Sequence, residues 1–280
     1  MATFLDALCS SPQEGAAALS RNGCFVLRNA FEPEALASLH RQSLEYFKLA
    51  QAEGAEGIAL ATGLPVEHVA GHVEGACKRG VTHHSLLSWF LYGNPSTLET
   101  QFARMLAEDR IRRFVEPILG SCVLHTNNLA IRYRDVGRSD FALPFHQDSF
   151  YFEPELLGPS TVMLVIWTPF NDCDDETPGL EIVPRRIAEA FALRDEPRTQ
   201  FKQLEADVPD HLAVWYPHLR RGDCLVFEER TLHRSRDGNV KNPRTSVDLR
   251  LFTEGRYPKS FKGHSGIRLS DLAPVAVNGT

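Results

Sequence analysis

With 280 residues, 43% of them hydrophobic and 24% charged, the chain has the balance of a folded globular protein with room for one large core or two modest ones. A formal net charge of -6, with basic residues scattered rather than clustered, argues against a nucleic-acid partner. No apolar run approaches the roughly 20 residues that cross a bilayer, and Met1 to Ser20 lacks a signal-peptide layout, so a cytoplasmic protein without a membrane partner is expected.

From the N-terminus, a short helical pattern over Pro12 to Ser20 leads to the apolar strand Cys24-Phe25-Val26-Leu27. A helix is expected from Pro33 to Ala50, where Leu36, Leu39, Leu44 and Phe47 recur at near-helical spacing. Gln51 to Gly80 is rich in Gly and Ala with weak periodicity, the pattern of a mobile segment or lid. Helical patterning resumes over Leu86 to Phe90 and Pro95 to Leu119. Beyond Gly120 the period changes to that of strands, over Cys122 to Tyr133, Thr161 to Phe170, Leu180 to Val183, Leu212 to Tyr216, Cys224 to Phe227 and Thr245 to Phe252. Helices first and strands later imply an α+β class, and many short strands between Pro and Gly turns fit a double-sheet jelly roll with the helices packed on one sheet. The expected organisation is a single domain over residues 1–262, helical over 1–119 with its jelly-roll core over 120–255, followed by a polar, loosely held tail over 263–280.

Cys9, Cys24, Cys77, Cys122, Cys173 and Cys224 are far apart and form no C-x-x-C pair, so reduced thiols are expected rather than a zinc cluster or a disulfide framework. The chemistry concentrates in Leu143-Pro144-Phe145-His146-Gln147-Asp148-Ser149-Phe150-Tyr151. On a strand, residues i and i+2 share a face, so His146 and Asp148 can offer an imidazole nitrogen and a carboxylate oxygen to one ion. His233, which follows the Gly222-Asp223 turn and the apolar run Cys224 to Phe227, supplies a second imidazole from a distant strand. Two histidines and one carboxylate leave three positions of an octahedron open, the arrangement of iron(II) oxygenases. A keto acid can chelate there and O2 can take the remaining position. The far carboxylate of the keto acid calls for a guanidinium, and Arg244, eleven residues after His233, is placed to supply it. Ser246 faces the same way as Arg244 on a regular strand, and Ser235 lies two residues beyond His233, so either hydroxyl can add a hydrogen bond.

These residues are similar to those of the phytanoyl-CoA dioxygenase family of 2-oxoglutarate oxygenases, over roughly Ala17 to Phe252. Arg21 to Leu27 resembles the opening strand of the family, His146-Gln147-Asp148 its H-x-D motif, and Gly222 to Phe227 the strand leading to the distal histidine, here His233. Trp167 matches a tryptophan on the next core strand beside the cofactor, and Arg244 the 2-oxoglutarate arginine. The resemblance implies a double-stranded β-helix, Fe(II), 2-oxoglutarate and O2, and hydroxylation of a small molecule with release of succinate and CO2. Halogenating relatives lack the carboxylate ligand, so Asp148 favours hydroxylation. Ile131 to Tyr133, Pro144 to Tyr151 and Ser246 to Arg250 look closest to bacterial hydroxylases that tailor terpenoids and other natural products. Pro178 to Arg186 replaces the glycine- and asparagine-rich turn usual in the family and its Gly-Ser-His ending, which puts the departure at the pocket edge.

Other residues admit two readings. Arg132 and Arg250 are candidates for binding a substrate anion, or for a structural ion pair with Asp248 or Asp223; Phe150 and Tyr151 are substrate wall or core. His68 and His72 have the i, i+4 spacing of a zinc pair, but Val69 stands where a zincin has its glutamate, and His83-His84 is a solvated turn or a pocket cover. A non-oxidative, metal-binding cupin-like protein is the rival function, and Arg244 separates the two, since such a protein has no keto acid to hold. A zinc hydrolase lacks an accompanying general base.

Overall fold

The computed structural model describes residues 8–62, 65–67, 98–126, 130–134, 136, 143–152, 159–177, 179–188, 191–196, 201–205, 208–209, 211–236 and 241–277. The segments containing Cys77, Leu86 to Phe90 and the histidines at 68, 72, 83 and 84 lie outside the described residues. In chain order the elements are α1 (Pro12–Asn22), β1 (Cys24–Leu27), α2 (Pro33–Thr62), α3 (Leu98–Leu106), α4 (Asp109–Leu119), β2 (Cys122–His125) and β3 (Ala130–Arg134). There follow β4 (Met163–Pro169), β5 (Leu180–Ile182), β6 (Leu193–Glu196), β7 (Phe201–Leu204), β8 (Cys224–Glu228), β9 (His233–Ser235), β10 (Arg244–Thr253), β11 (His264–Arg268) and β12 (Pro274–Val277).

Local chemistry sets the helix ends. α1 begins in a capping box, in which Glu14 N–H donates to Ser11 Oγ at 3.3 Å and Ser11 N–H donates to the Glu14 carboxylate at 3.2 Å. It stops at Gly23, whose φ of 69° is the left-handed conformation that ends helices. Far along the chain, the turn into β8 needs Gly222, with φ at +100°, because a Cβ there would meet the carbonyl oxygen of Phe31 at 2.9 Å. Asp223 secures that turn by accepting from Arg28 at 2.5 Å and from the N–H groups of Asn29 and Arg220.

The main sheet is antiparallel and runs β1-β8-β4-β10-β2-β11-β12, with β3 also paired to β10. β10 is its centre, with β4 along one side and β3 and β2 sharing the other. Alternation along each strand divides the core. Phe25, Leu27, Leu124, Leu164, Ile166, Val226, Val247, Leu249 and Leu251 point to one face, where they meet Leu36, Leu39, Phe102, Leu106, Phe114 and Val115 of the helices. Cys24, Val26, Val123, Val165, Trp167, Leu225, Phe227 and Phe252 point to the other. With both faces covered, β1, β4 and β8 read as nearly unbroken apolar runs although the sheet is antiparallel. Truncating a fully buried Phe such as Phe102 or Phe170 should cost roughly 3–5 kcal/mol.

A small second sheet lies over that inner face. β5 pairs with β9, His146 bridges to His233, and Trp215 bridges to Ile182. This double-sheet arrangement is the expected jelly roll. α2 runs on through Gln51 to Thr62, where a mobile stretch is expected. Leu212 to Tyr216 contributes a single bridge rather than a strand. β6 and β7 form a hairpin that no sequence expectation covers. The expectation of a loose C-terminal tail is corrected: β11 pairs with β2 and β12 with β11, extending the main sheet. Close strand pairing explains it, since Gly266 lets β11 lie against Leu124 of β2, where a Cβ would stand 2.9 Å from the Leu124 carbonyl oxygen. Among the described residues no helix is long and apolar enough to cross a membrane, and Cys9, Cys24, Cys122, Cys173 and Cys224 are free thiols.

Candidate metal centre

His146 and His233 are direct cross-strand neighbours. His146 N–H donates to the His233 carbonyl at 3.0 Å and His233 N–H returns the bond at 3.1 Å, so both side chains leave the same face of the pair. Their ring centroids are 4.2 Å apart. Each Nδ1 meets the carbonyl two residues earlier, Pro144 at 2.8 Å and Thr231 at 2.9 Å. A carbonyl only accepts, so each Nδ1 carries the proton and each Nε2 presents a lone pair.

Asp148 does not sit on a strand beside His146, as the H-x-D spacing suggests. His146 makes a bridge only, and Asp148 opens a 3-10 turn over Asp148–Tyr151. The chain leaves the ladder because Ser149 N–H donates to the Glu229 carbonyl at 2.7 Å, folding the motif onto the turn that precedes β9. The carboxylate still converges on the imidazoles: one ligand atom from each of His146, Asp148 and His233 lies within 4.8 Å of the others, and all three residues are buried. Asp148 Oδ1 stands 3.8 Å from His146 Nε2. Oδ2 accepts from Arg250, from Nε at 3.1 Å and Nη2 at 3.0 Å.

Electrostatics favour the ligand protonation states that a dication requires. Burial and the neighbouring His233 push the His146 imidazole down to about 3, against the opposing pull of Asp148. His233 is also lowered, chiefly by burial. For Asp148, burial alone would raise the value, but Arg250 and the two imidazoles outweigh it and hold the carboxyl down to about 2.

The site opens into a pocket between the two sheets, lined by Arg132, Leu143, Val165, Trp167, Leu180, Phe227, Ser235, Arg244, Asp248 and Arg250 as well as the three convergent residues. Arg132 pairs with Asp248 at 2.5 Å. Arg244 is different. It is 4% exposed, and its Nε and Nη1 have no hydrogen-bond partner among the described residues. Its guanidinium lies 5.6 Å from the Trp167 ring centroid, and burial pushes it down to about 10. Trp167 Nε1 and Ser246 Oγ are likewise buried without hydrogen-bond partners among the described residues, and Ser246 shares the Arg244 face because β10 is regular. Buried donors without acceptors are costly. A cation flanked by two such donors beside a two-histidine, one-carboxylate cluster suits a chelating dianion on a ferrous ion.

Of the residues expected from sequence, His146, Asp148, His233, Trp167, Ser235, Arg244, Arg132 and Arg250 therefore meet at one pocket, and Ser246 lies on its floor strand. Phe150 is 37% exposed and is not among the lining residues. The Tyr151 side chain lies outside the described residues. Gln147 was not singled out by spacing, yet it is buried, donates to the Arg230 carbonyl at 2.7 Å and accepts from Phe191 N–H at 2.8 Å. A neutral amide between two expected ligands was its only signal. His125, without usable spacing in sequence, is buried one strand away from Arg250 and hydrogen-bonds His264 at 3.0 Å.

Comparisons agree with this geometry. The phytanoyl-CoA dioxygenase (PhyH) family profile matches residues 19–245. No curated protein sequence matches. Solved structures do: the apo form of the non-heme monooxygenase ThoJ has a TM-score of 0.62 at 13% identity, covering 95% of this chain and 88% of its own. The epimerase SnoN, in complex with Fe3+, alpha ketoglutarate and nogalamycin RO, has a TM-score of 0.55 at 16% identity, covering 86% and 83%. EctD from S. alaskensis, with 2-oxoglutarate and 5-hydroxyectoine, has a TM-score of 0.54 at 17% identity, covering 90% and 79%. These likenesses establish the double-stranded β-helix fold, and the family match spans most of the sequence. The chain therefore belongs to the phytanoyl-CoA dioxygenase family of iron- and 2-oxoglutarate-dependent oxygenases.

Proposed function

We propose that His146, Asp148 and His233 hold iron(II), that Arg244 binds the far carboxylate of 2-oxoglutarate, and that the enzyme hydroxylates a small organic molecule at an unactivated C–H bond. The observation that carries this reading is the buried guanidinium of Arg244, whose Nε and Nη1 have no hydrogen-bond partner among the described residues, on the same pocket as the three convergent ligand atoms. With iron, 2-oxoglutarate and O2 bound, the site supplies an oxidant for C–H bonds, and succinate and CO2 are the coproducts.

The residues of the chain contribute positioning and a dry enclosure rather than acid or base groups. The two imidazoles are preset by their backbone carbonyl partners. Ser246 Oγ and Trp167 Nε1 offer hydrogen bonds to the cosubstrate beside Arg244, and Ser235, on the His233 face of β9, adds a third. Val165, Leu180 and Phe227 give the pocket apolar walls against water. Arg132 stands at the pocket already neutralised by Asp248, so it suits a neutral or singly charged group of a natural-product intermediate or carboxylated metabolite.

Anaerobic addition of iron(II) and 2-oxoglutarate should produce the weak visible charge-transfer band of a ferrous keto-acid chelate. Its failure to appear with the intact protein overturns the cofactor assignment. Small organic acids and natural-product scaffolds are then screened by succinate release. A product heavier by one oxygen atom supports hydroxylation, whereas a product of unchanged mass refutes it in favour of a stereochemical change.

A further inference from the structure

We propose that Arg250 is a positioning residue for the metal centre: it clamps Oδ2 of Asp148 so that Oδ1 alone faces the imidazoles, and thereby sets the affinity for the divalent ion. This rests on the reading of His146, Asp148 and His233 as the iron ligands.

Arg250 stands on β10, opposite Val165 of β4, and reaches across the pocket to a turn 102 positions away in the chain. Its two contacts with Asp148, from Nε at 3.1 Å and Nη2 at 3.0 Å, both go to Oδ2. A guanidinium matched to a whole carboxylate would place one donor on each oxygen. Here one oxygen takes both donors, and the other, Oδ1, is left 3.8 Å from His146 Nε2. The asymmetry decides the denticity. A carboxylate with both oxygens free can chelate, taking one of the three positions that the keto acid and O2 require. Arg250 also links the main sheet to a carboxylate that lies off any strand, on a turn whose own backbone support comes from Ser149. Arg250 is thereby assigned to Asp148 rather than to a substrate anion.

Cobalt(II), a redox-inert probe of the iron site, is titrated into the full-length apoprotein by calorimetry and by its visible ligand-field spectrum. Wild type should bind one equivalent, and His233→Ala should lose that binding. Arg250→Met and Arg250→Gln should weaken cobalt affinity about 10- to 100-fold, as loss of a ligand-orienting partner does, and should alter the spectrum through a changed coordination number. Arg250→Lys should recover part of the loss. Arg244→Met, which removes a cation from the same pocket that is not bonded to Asp148, should not weaken cobalt binding; any change should be a gain, from the lost repulsion between the guanidinium and the divalent ion. A folded Arg250→Met or Arg250→Gln with wild-type affinity and spectrum overturns the assignment, and so does an equal loss in Arg244→Met. Where circular dichroism shows both neutral variants unfolded, Arg250→Lys decides: weakened binding supports the assignment, and an unchanged affinity and spectrum overturn it. Wild type failing to bind cobalt, or His233→Ala binding it undiminished, refutes the iron-ligand reading instead.

Discussion

Replacing Arg244 by methionine should make the empty enzyme more stable and the cosubstrate weaker, two effects that a merely structural arginine cannot give together. The guanidinium is buried, and burial holds it well below its usual range, at about 10, a penalty of roughly 3 kcal/mol on the charged form in the folded state. The sign is fixed by linkage: a cation whose folded value is depressed opposes folding at neutral pH, and the penalty is complete below about 10 and fades only above it, where the folded guanidinium deprotonates while the unfolded one stays charged. Methionine removes that cost and keeps most of the apolar stem, so after a discount for imperfect packing the apoprotein should gain about 1–2 kcal/mol, or roughly 2–6 °C in melting temperature. In the same variant 2-oxoglutarate loses its buried countercharge, which should cost roughly 2–4 kcal/mol and weaken binding about 30- to 1,000-fold. Urea unfolding of the metal-free protein gives the first quantity, and titration of the charge-transfer band at saturating iron gives the second. An Arg244→Met protein that is less stable than wild type while binding 2-oxoglutarate normally would refute the reasoning.

His146→Ala or Asp148→Ala should abolish stoichiometric iron(II) binding, checked by metal analysis after gel filtration; retention of a full equivalent would sink the ligand assignment. Burial lowers His125 and His146 to about 3, each below the usual 6.5. The unfolded chain therefore binds more protons between those values, and apoprotein stability should fall by up to ~1.4 kcal/mol per pH unit for each histidine as pH drops through that window. Urea midpoints at pH 7 and pH 5 measure the slope, and His125→Asn should remove one share of it. Gly266→Ala would set a Cβ 2.4 Å from Val123 Cγ1 and 2.9 Å from the Leu124 carbonyl oxygen, so it should destabilise by about 1–3 kcal/mol; an unchanged melting temperature would mean that β11 is not seated on β2.

The ligand chemistry was legible in the sequence because it is carried by residue type and short spacing. His146, Asp148, His233 and Arg244 could be chosen before any fold was known, and the regular alternation of β10 correctly put Ser246 on the Arg244 face. The apolar runs of β4 and β8 announced strands, and their lack of polar alternation is explained by helices covering one face and the small sheet the other; β10 instead alternates, with Val247, Leu249 and Leu251 towards the helices and Arg244, Asp248 and Arg250 towards the pocket. What the residues could not disclose was which partners they meet. The H-x-D pair suggested a strand, but a hydrogen bond from Ser149 to a carbonyl in the turn before β9 draws Asp148 into a 3-10 turn. Arg132 and Arg250 had open partners in sequence, and only the approach of distant elements gave Asp248 to one and Asp148 to the other. The C-terminal strands looked like a polar tail, because strand pairing at a sheet edge depends on backbone groups far away in the chain and leaves little trace in composition. Residue identity determined what chemistry this protein can carry; the tertiary structure decided where charges are compensated and where one is left waiting, since compensation in a buried site is a matter of distances between residues remote in the chain.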